Sequence, residues 1–115
     1  GDMAAHLGLE SYRNGHIQPP TPCYHLQSDT ELDIPALLQA HGAELGLCED
    51  WGWDSPIPGL NHITLRADTH VFGTDCADAK ELSKSELEGR RQIGAVLGAL
   101  RKYGGCRVTL ASVCA

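Results

Sequence analysis

Six histidines and five cysteines are spread through a chain of 115 residues, and they are the first side chains to consider for metal binding or nucleophilic chemistry. Their spacing argues against both. A structural zinc site draws on closely paired ligands, as in C-x-x-C or in histidines one helical turn apart. Cys23, Cys48, Cys76, Cys106 and Cys114 form no such pair, and neither do His6, His16, His25, His41, His62 and His70. The cysteines are expected to be reduced, partly buried thiols, with a chance disulfide as the alternative. His62 and His70 flank a possible hairpin and are the best placed histidines, although as ordinary polar strand residues they need no function. No metal site is expected.

Two other groups bear charge in a pattern. Glu49, Asp50 and Asp54 surround Trp51 and Trp53 in a Gly- and Pro-rich stretch, either as a solvated acidic loop or as a loop facing a substrate. Arg90 and Arg91 are adjacent on a strongly periodic segment. Glu86, four residues before Arg90, offers an ordinary helical ion pair, while a planar guanidinium pair also suits a phosphate or carboxylate. The nucleotide-binding and hydrolase motifs G-x-G-x-x-G, Walker A, G-x-S-x-G and H-E-x-x-H do not occur, so no complete cofactor fold is expected.

The elements that must position these residues are partly visible. Prolines 19, 20 and 22 exclude helix, and Cys23–Gln27 reads as a short strand. Asp33 is a plausible N-cap with Pro35 in the first turn, predicting a helix over about 34–45 that stops at Gly46. Residues 46–61 read as loop. His62–Arg66 has strand composition, Ala67-Asp68 suits a turn, and Thr69–Phe72 suits a second strand. Ser83 and Glu86 resemble a capping box, and Leu87, Ile93, Val96, Leu97 and Leu100 follow at helical spacing, predicting a long helix over about 83–103. Gly89, Gly94 and Gly98 interrupt that helix and call for a packing reason. Residues 107–113 read as a final strand. The fold class is α+β: a small mixed or antiparallel sheet packed against one long C-terminal helix, with a shorter helix before it.

Composition sets limits. Apolar residues make up 42% and aromatics only 5%, so the core must be aliphatic. The formal charge of −6 opposes non-specific nucleic-acid binding, which depends on clustered Lys and Arg. No apolar run is long enough to span a membrane, and no signal-peptide pattern opens the chain. The expected location is cytoplasmic. The opening Gly1-Asp2 and the apolar run closing at Ala115 suggest one domain, 1–115, cut from a longer fold.

Several segments, taken in order, resemble a family of FAD-dependent oxidoreductases allied in fold to the fumarate reductase and succinate dehydrogenase flavoproteins. Gly1-Asp2-Met-Ala-Ala is similar to the end of a D-A-[ST]-G-D-G-D-x-A-A segment, and Gly15–Thr21 to a G-x-x-Q-P-x-T passage. Asn61–Arg66 with Gly73-Thr-Asp75 resembles N-x-T-R-V followed by G-x-D-A-T-D. Leu82–Gln92 resembles L-T-x-A-E-x-E-G-R-R-Q, the most specific match, and Leu100–Tyr103 continues it. Residues 46–60 match poorly. The resemblance implies the middle, substrate-side domain of such an enzyme, with FAD as cofactor and the remainder of the flavoprotein chain and a small-molecule substrate as partners. It implies that Gly1 and Asp2 belong to the flavin-binding segment, and that this chain alone does not hold FAD. Asn61, His62 and Arg66, then Arg90 and Arg91, are the expected substrate contacts. A stand-alone ligand- or protein-binding module without cofactor, using the Trp51/Trp53 loop, is the alternative.

Overall fold

The computed structural model describes residues 3, 6–9, 18–47 and 52–114. Its centre is an antiparallel four-stranded sheet in the order β2-β3-β1-β4. The strands are β1 (Tyr24–Ser28), β2 (Trp53–Pro56), β3 (Ile63–Ala67) and β4 (Val108–Val113), and the helices are α1 (Ile34–His41) and α2 (Ala79–Tyr103). The fold is α+β, with the longer helix C-terminal.

Alternation along the strands decides which face is covered. Tyr24 and Leu26 of β1 point to the helices and join Ile34, Leu38, Ile93, Val96, Leu100 and Val108 in one core. Tyr24 is the only aromatic ring among these, as the scarcity of aromatics requires. Both helices pack on this face. Truncating a fully buried member such as Leu38 to Ala is expected to cost about 2–5 kcal/mol. The other face carries His25, Gln27, Ile63, Leu65, Ala67 and Trp53, with Ala67 buried and Trp53 exposed.

Helix α1 begins where the sequence suggests. Asp33 accepts from Ala36 N at 3.1 Å, and Pro35 lies in the first turn. The α-helix ends at His41 and tightens into a 3-10 turn over Gly42–Leu45. Gly46 then closes it at φ 65°, a conformation glycine adopts without steric penalty.

Helix α2 starts four residues earlier than the capping-box reading. Asp78 is the N-cap, accepting from Lys80 N at 2.8 Å and from Glu81 N at 3.0 Å. A charged acceptor already satisfies the orphan amides, so Ser83 lies inside the helix and donates to Ala79 O at 2.8 Å. The buried stripe is Ser85, Gly89, Gln92, Ile93, Val96, Ala99 and Leu100. Leu87 falls off this stripe and is 71% exposed. Gly89 has the packing reason its position demands: a Cβ there would stand 2.3 Å from Pro22 Cγ. At Gly94 and Gly98 a Cβ would meet nothing within 4 Å, so close packing explains neither.

Two expectations around the hairpin are corrected. Residues 69–72 form no strand, and Ala67-Asp68 does not turn. The hairpin partner of β3 is β2, inside the stretch read as loop, with Trp53 opposite Ala67, Asp54 opposite Arg66 and Pro56 opposite Thr64. After Ala67 the chain leaves the sheet and lies along residues 20–22. Thr69 Oγ1 donates to Pro22 O at 2.8 Å, and Val71 N donates to Pro20 O at 3.1 Å. Those bonds satisfy the polar groups that a second hairpin would have paired.

Candidate functional site

Arg66 and Asp68 are two residues apart at the end of β3, so alternation sends both toward the helix face. Arg66 faces Tyr24 across the β1–β3 ladder. Its side chain is 0% exposed, a position tolerable for a guanidinium only when it is paired. Arg66 Nε and Nη2 donate to Asp68 Oδ2 at 3.0 and 2.6 Å. The Tyr24 hydroxyl donates to Asp68 Oδ1 at 2.7 Å. Arg66 Nη1 lies 3.0 Å from Asp54 Oδ2 on the neighbouring strand, close enough to pair as an ion but not aligned for a hydrogen bond.

The electrostatics follow from that geometry. Burial pulls the Arg66 pKa down, but Asp68, Tyr24 and Asp54 outweigh burial and raise it overall. Burial, reinforced by the Asp68 charge, pushes the Tyr24 phenol well above its ordinary range. One guanidinium serves two carboxylates, so the network carries an excess of one negative charge. Asp68 is sealed, whereas the Asp54 side chain is 39% exposed, and the excess therefore reaches solvent through Asp54.

Asp54 lines a pocket of about 290 Å³ between the end of β1, the segment entering α1 and the β2–β3 hairpin. Ser28, Glu31, His62 and Thr64 give its remaining polar surface, and Leu32, Ile34, Pro56, Leu60 and Ile63 its apolar wall. No Lys or Arg among the described residues lines it. His62 sits in the hairpin turn at φ 62°, a left-handed conformation uncommon for a non-glycine residue. Its carbonyl accepts from Ser28 N at 3.0 Å, which ties the turn to β1. The wall is fit to hold a small molecule with a cationic group and a short apolar body.

The residues singled out from sequence divide between these places. His62 lines the pocket, and Asn61 is exposed beside it in the turn. Arg66 lies behind the pocket and reaches it only through Asp54. Arg90 and Arg91 are on the surface of α2, far along the chain from this wall. Arg90 Nη2 is 3.4 Å from Glu86 Oε2, and Arg91 makes two bonds to Glu88 at 2.7 and 2.6 Å. Gly1 and Asp2 lie outside the described residues, as do Trp51, Glu49 and Asp50. His70 Nδ1 is 2.6 Å from Thr21 Oγ1, and His41 stacks on Tyr103 at 3.6 Å between ring centroids. Among the described residues no three His, Cys, Asp or Glu side chains are grouped to hold a metal ion. No described helix is long and apolar enough to cross a membrane.

Sequence reasoning passed over Tyr24, Asp68 and Glu31. The i, i+2 spacing of Arg66 and Asp68 on a strand was the available signal for the buried pair; nothing local marks Tyr24 or Glu31 as neighbours of it. No family model, curated protein or solved structure matches this chain.

Proposed function

We propose that this chain is the substrate-side domain of an FAD-dependent oxidoreductase, one that passes a hydride between a small-molecule substrate and the flavin. The observation that supports this reading best is the meeting of residues that lie within or just beyond three of the segments carrying the family resemblance. Pro22, just after the Gly15–Thr21 passage, packs on Gly89 of the Leu82–Gln92 segment. Gln92 Nε2 donates to His70 O at 3.1 Å, and His70 follows the Asn61–Arg66 segment and contacts Thr21. Thr21 and Pro22, His70, and Gly89 and Gln92, each within or just beyond one of those segments, thus lie together.

In this reading the pocket at the β2–β3 hairpin is the substrate wall. Asp54 and Glu31 attract a cationic group, His62 and Asn61 supply polar contacts at the rim, and Arg66 fixes the Asp54 carboxylate from behind. The Asp54 carboxylate is held by a rigid buried partner, so little ordering is left to occur on binding. When bound, the flavin would supply the hydride chemistry, with the protein orienting its partner. The chain lacks the glycine-rich turn that a dinucleotide pyrophosphate uses, so the described residues do not fit an FAD site. Apart from Gly1 and Asp2, the residues holding FAD are therefore assigned to the remainder of the flavoprotein.

A binding module without cofactor is the second reading, favoured by Trp53, which is 56% exposed on the sheet face away from the helices. Flavin analysis separates the two. The 115-residue chain, and any longer natural protein that contains it, are purified, titrated with FAD and followed by flavin absorbance. The expected result is stoichiometric flavin on the longer protein and none on the chain alone. A longer protein that neither retains nor takes up flavin would leave the module reading standing and remove the oxidoreductase.

A further inference from the structure

We propose that Cys23 and Cys114 are a modification site: a cross-strand thiol pair that closes to a reversible disulfide between β1 and the end of β4. The register carries the inference. Tyr24 pairs with Val113, so Cys23 and Cys114 are the next residues directly opposite one another. Cys114 N donates to Cys23 O at 2.8 Å, which makes them a hydrogen-bonded pair of the ladder. Such pairs hold their Cα atoms about 5.5 Å apart, within the span of about 4.4–6.8 Å that a disulfide bridges. Both side chains leave the sheet on the same side, as opposed residues must. Both are free thiols and line a common opening of about 270 Å³, which gives a small reagent access.

The two thiols differ in exposure, and this sets an order of events. Cys114 is exposed, and its Sγ lies 3.9 Å from His25 Nδ1. Cys23 is half-buried, with its Sγ 3.7 Å from Thr21 O, and burial, then the neighbouring Cys114 and Asp68, raise its pKa. A low-molecular-weight disulfide of the glutathione class is the oxidant. The Cys114 thiolate attacks one of its sulfurs, forming a mixed disulfide and releasing one small thiol. The Cys23 thiolate then attacks Cys114 Sγ, forming the Cys23–Cys114 bond and releasing the second small thiol. Two electrons pass from the protein thiols to the reagent, and the two protons leave with the released thiols.

Opposed residues in a ladder have Cβ atoms about 4.5–5.5 Å apart, whereas a disulfide needs about 3.5–4.5 Å, so the strands must close by roughly 1 Å. A bond formed under that constraint is readily reduced, which suits a switch better than a permanent staple. Cys114 follows an edge strand whose ladder already shifts register between His25 and Leu26, so the adjustment falls where pairing is least regular.

The test is peptide mapping of the whole chain without reduction, after equilibration in oxidised and then in reduced glutathione. One intramolecular linkage, Cys23 to Cys114, is expected in the oxidised sample, lighter than the reduced chain by two hydrogens. It should reopen fully in excess reduced glutathione. Cys114→Ser should abolish the linkage, and Cys23→Ser should leave Cys114 as a stable mixed disulfide. Linkages scattered among Cys48, Cys76 and Cys106, cross-links only between chains, or equal alkylation of Cys23 and Cys114 under oxidising conditions would each overturn the proposal.

Discussion

Arginine meets carboxylate in two regions of this molecule, and burial makes the two meetings physically different. On α2, Arg90 and Arg91 reach Glu86 and Glu88 in water, with side chains roughly half exposed. At the end of β3, Arg66 meets Asp68 and Asp54 where its own side chain has no exposed surface. A surface pair exchanges one solvated arrangement for another and contributes about 0–1 kcal/mol. A buried pair has lost its solvation already, so each member depends on the other being present. The first region tolerates change because water substitutes for a missing partner. The second holds the architecture of β2, β3 and β1 together, and with it the pocket that Asp54 lines.

The largest expected effect comes from breaking the buried region on one side. Arg66→Ala leaves Asp68 buried without its cation and is expected to destabilise the domain by about 3–5 kcal/mol in chemical denaturation. Arg66→Lys should rescue only part, because a single ammonium cannot reproduce two bonds to Asp68 while also facing Asp54. Replacing Arg66 and Asp68 together by apolar residues should cost far less than Arg66→Ala alone. If Arg66→Ala costs no more than the surface variants described below, burial is not what separates the two regions.

Tyr24 gives the second test, and it carries a pH signature. The hydroxyl is bonded to a buried carboxylate, so Tyr24→Phe is expected to cost about 1–3 kcal/mol. The phenol's folded-state pKa is raised, so the folded chain keeps a proton that the unfolded chain releases above about pH 10. The stability from Tyr24 is therefore complete below that pH and declines as pH rises beyond it, by up to about 1.4 kcal/mol per pH unit. Equilibrium unfolding between neutral and alkaline pH should show this decline in the parent chain and a shallower one in Tyr24→Phe. Equal slopes would mean that the phenol ionises freely and that the network is open to water.

The contrast also explains what the sequence made legible. Helix α2 was readable because Ile93, Val96 and Leu100 repeat at its period, and burial obeys the same period. Its first turn was not, because Ser83 and Glu86 imitate a cap while Asp78, five residues before Ser83, makes the real bonds. Strand β2 escaped notice because Trp53-Asp-Ser-Pro56 has little strand propensity. It is extended because β3 offers it a ladder and Arg66 offers Asp54 a charge, and both are tertiary effects. His62 and Asn61 could be picked out as a polar pair on one segment. The pocket they border could not, since Glu31 and Asp54 come from stretches that meet only on folding. Arg66 drew notice for its charge, yet its neighbours turn that charge inward.

The smallest expected effects sharpen the comparison from the exposed side, where two adjacent arginines differ in geometry. Arg91 holds Glu88 with two short bonds, and Gln92 Nε2 adds a third at 3.1 Å. Arg90 has one long contact to Glu86. Arg91→Ala is therefore expected to cost a few tenths to about 1 kcal/mol, and Arg90→Ala nothing measurable. The Arg91 hydrogen bond, opposed by slight desolvation and assisted by Gln92, holds the Glu88 carboxyl below its ordinary pKa. A lowered carboxylate stabilises the fold above its unfolded pKa, about 4.3, and that contribution disappears as pH falls through the folded value. Solvent screening keeps it small, since the Glu88 side chain is 38% exposed. Raising the salt concentration should erase the difference between Arg91→Ala and the parent while leaving the Arg66→Ala deficit in place, because ions screen exposed charges and cannot enter the buried network.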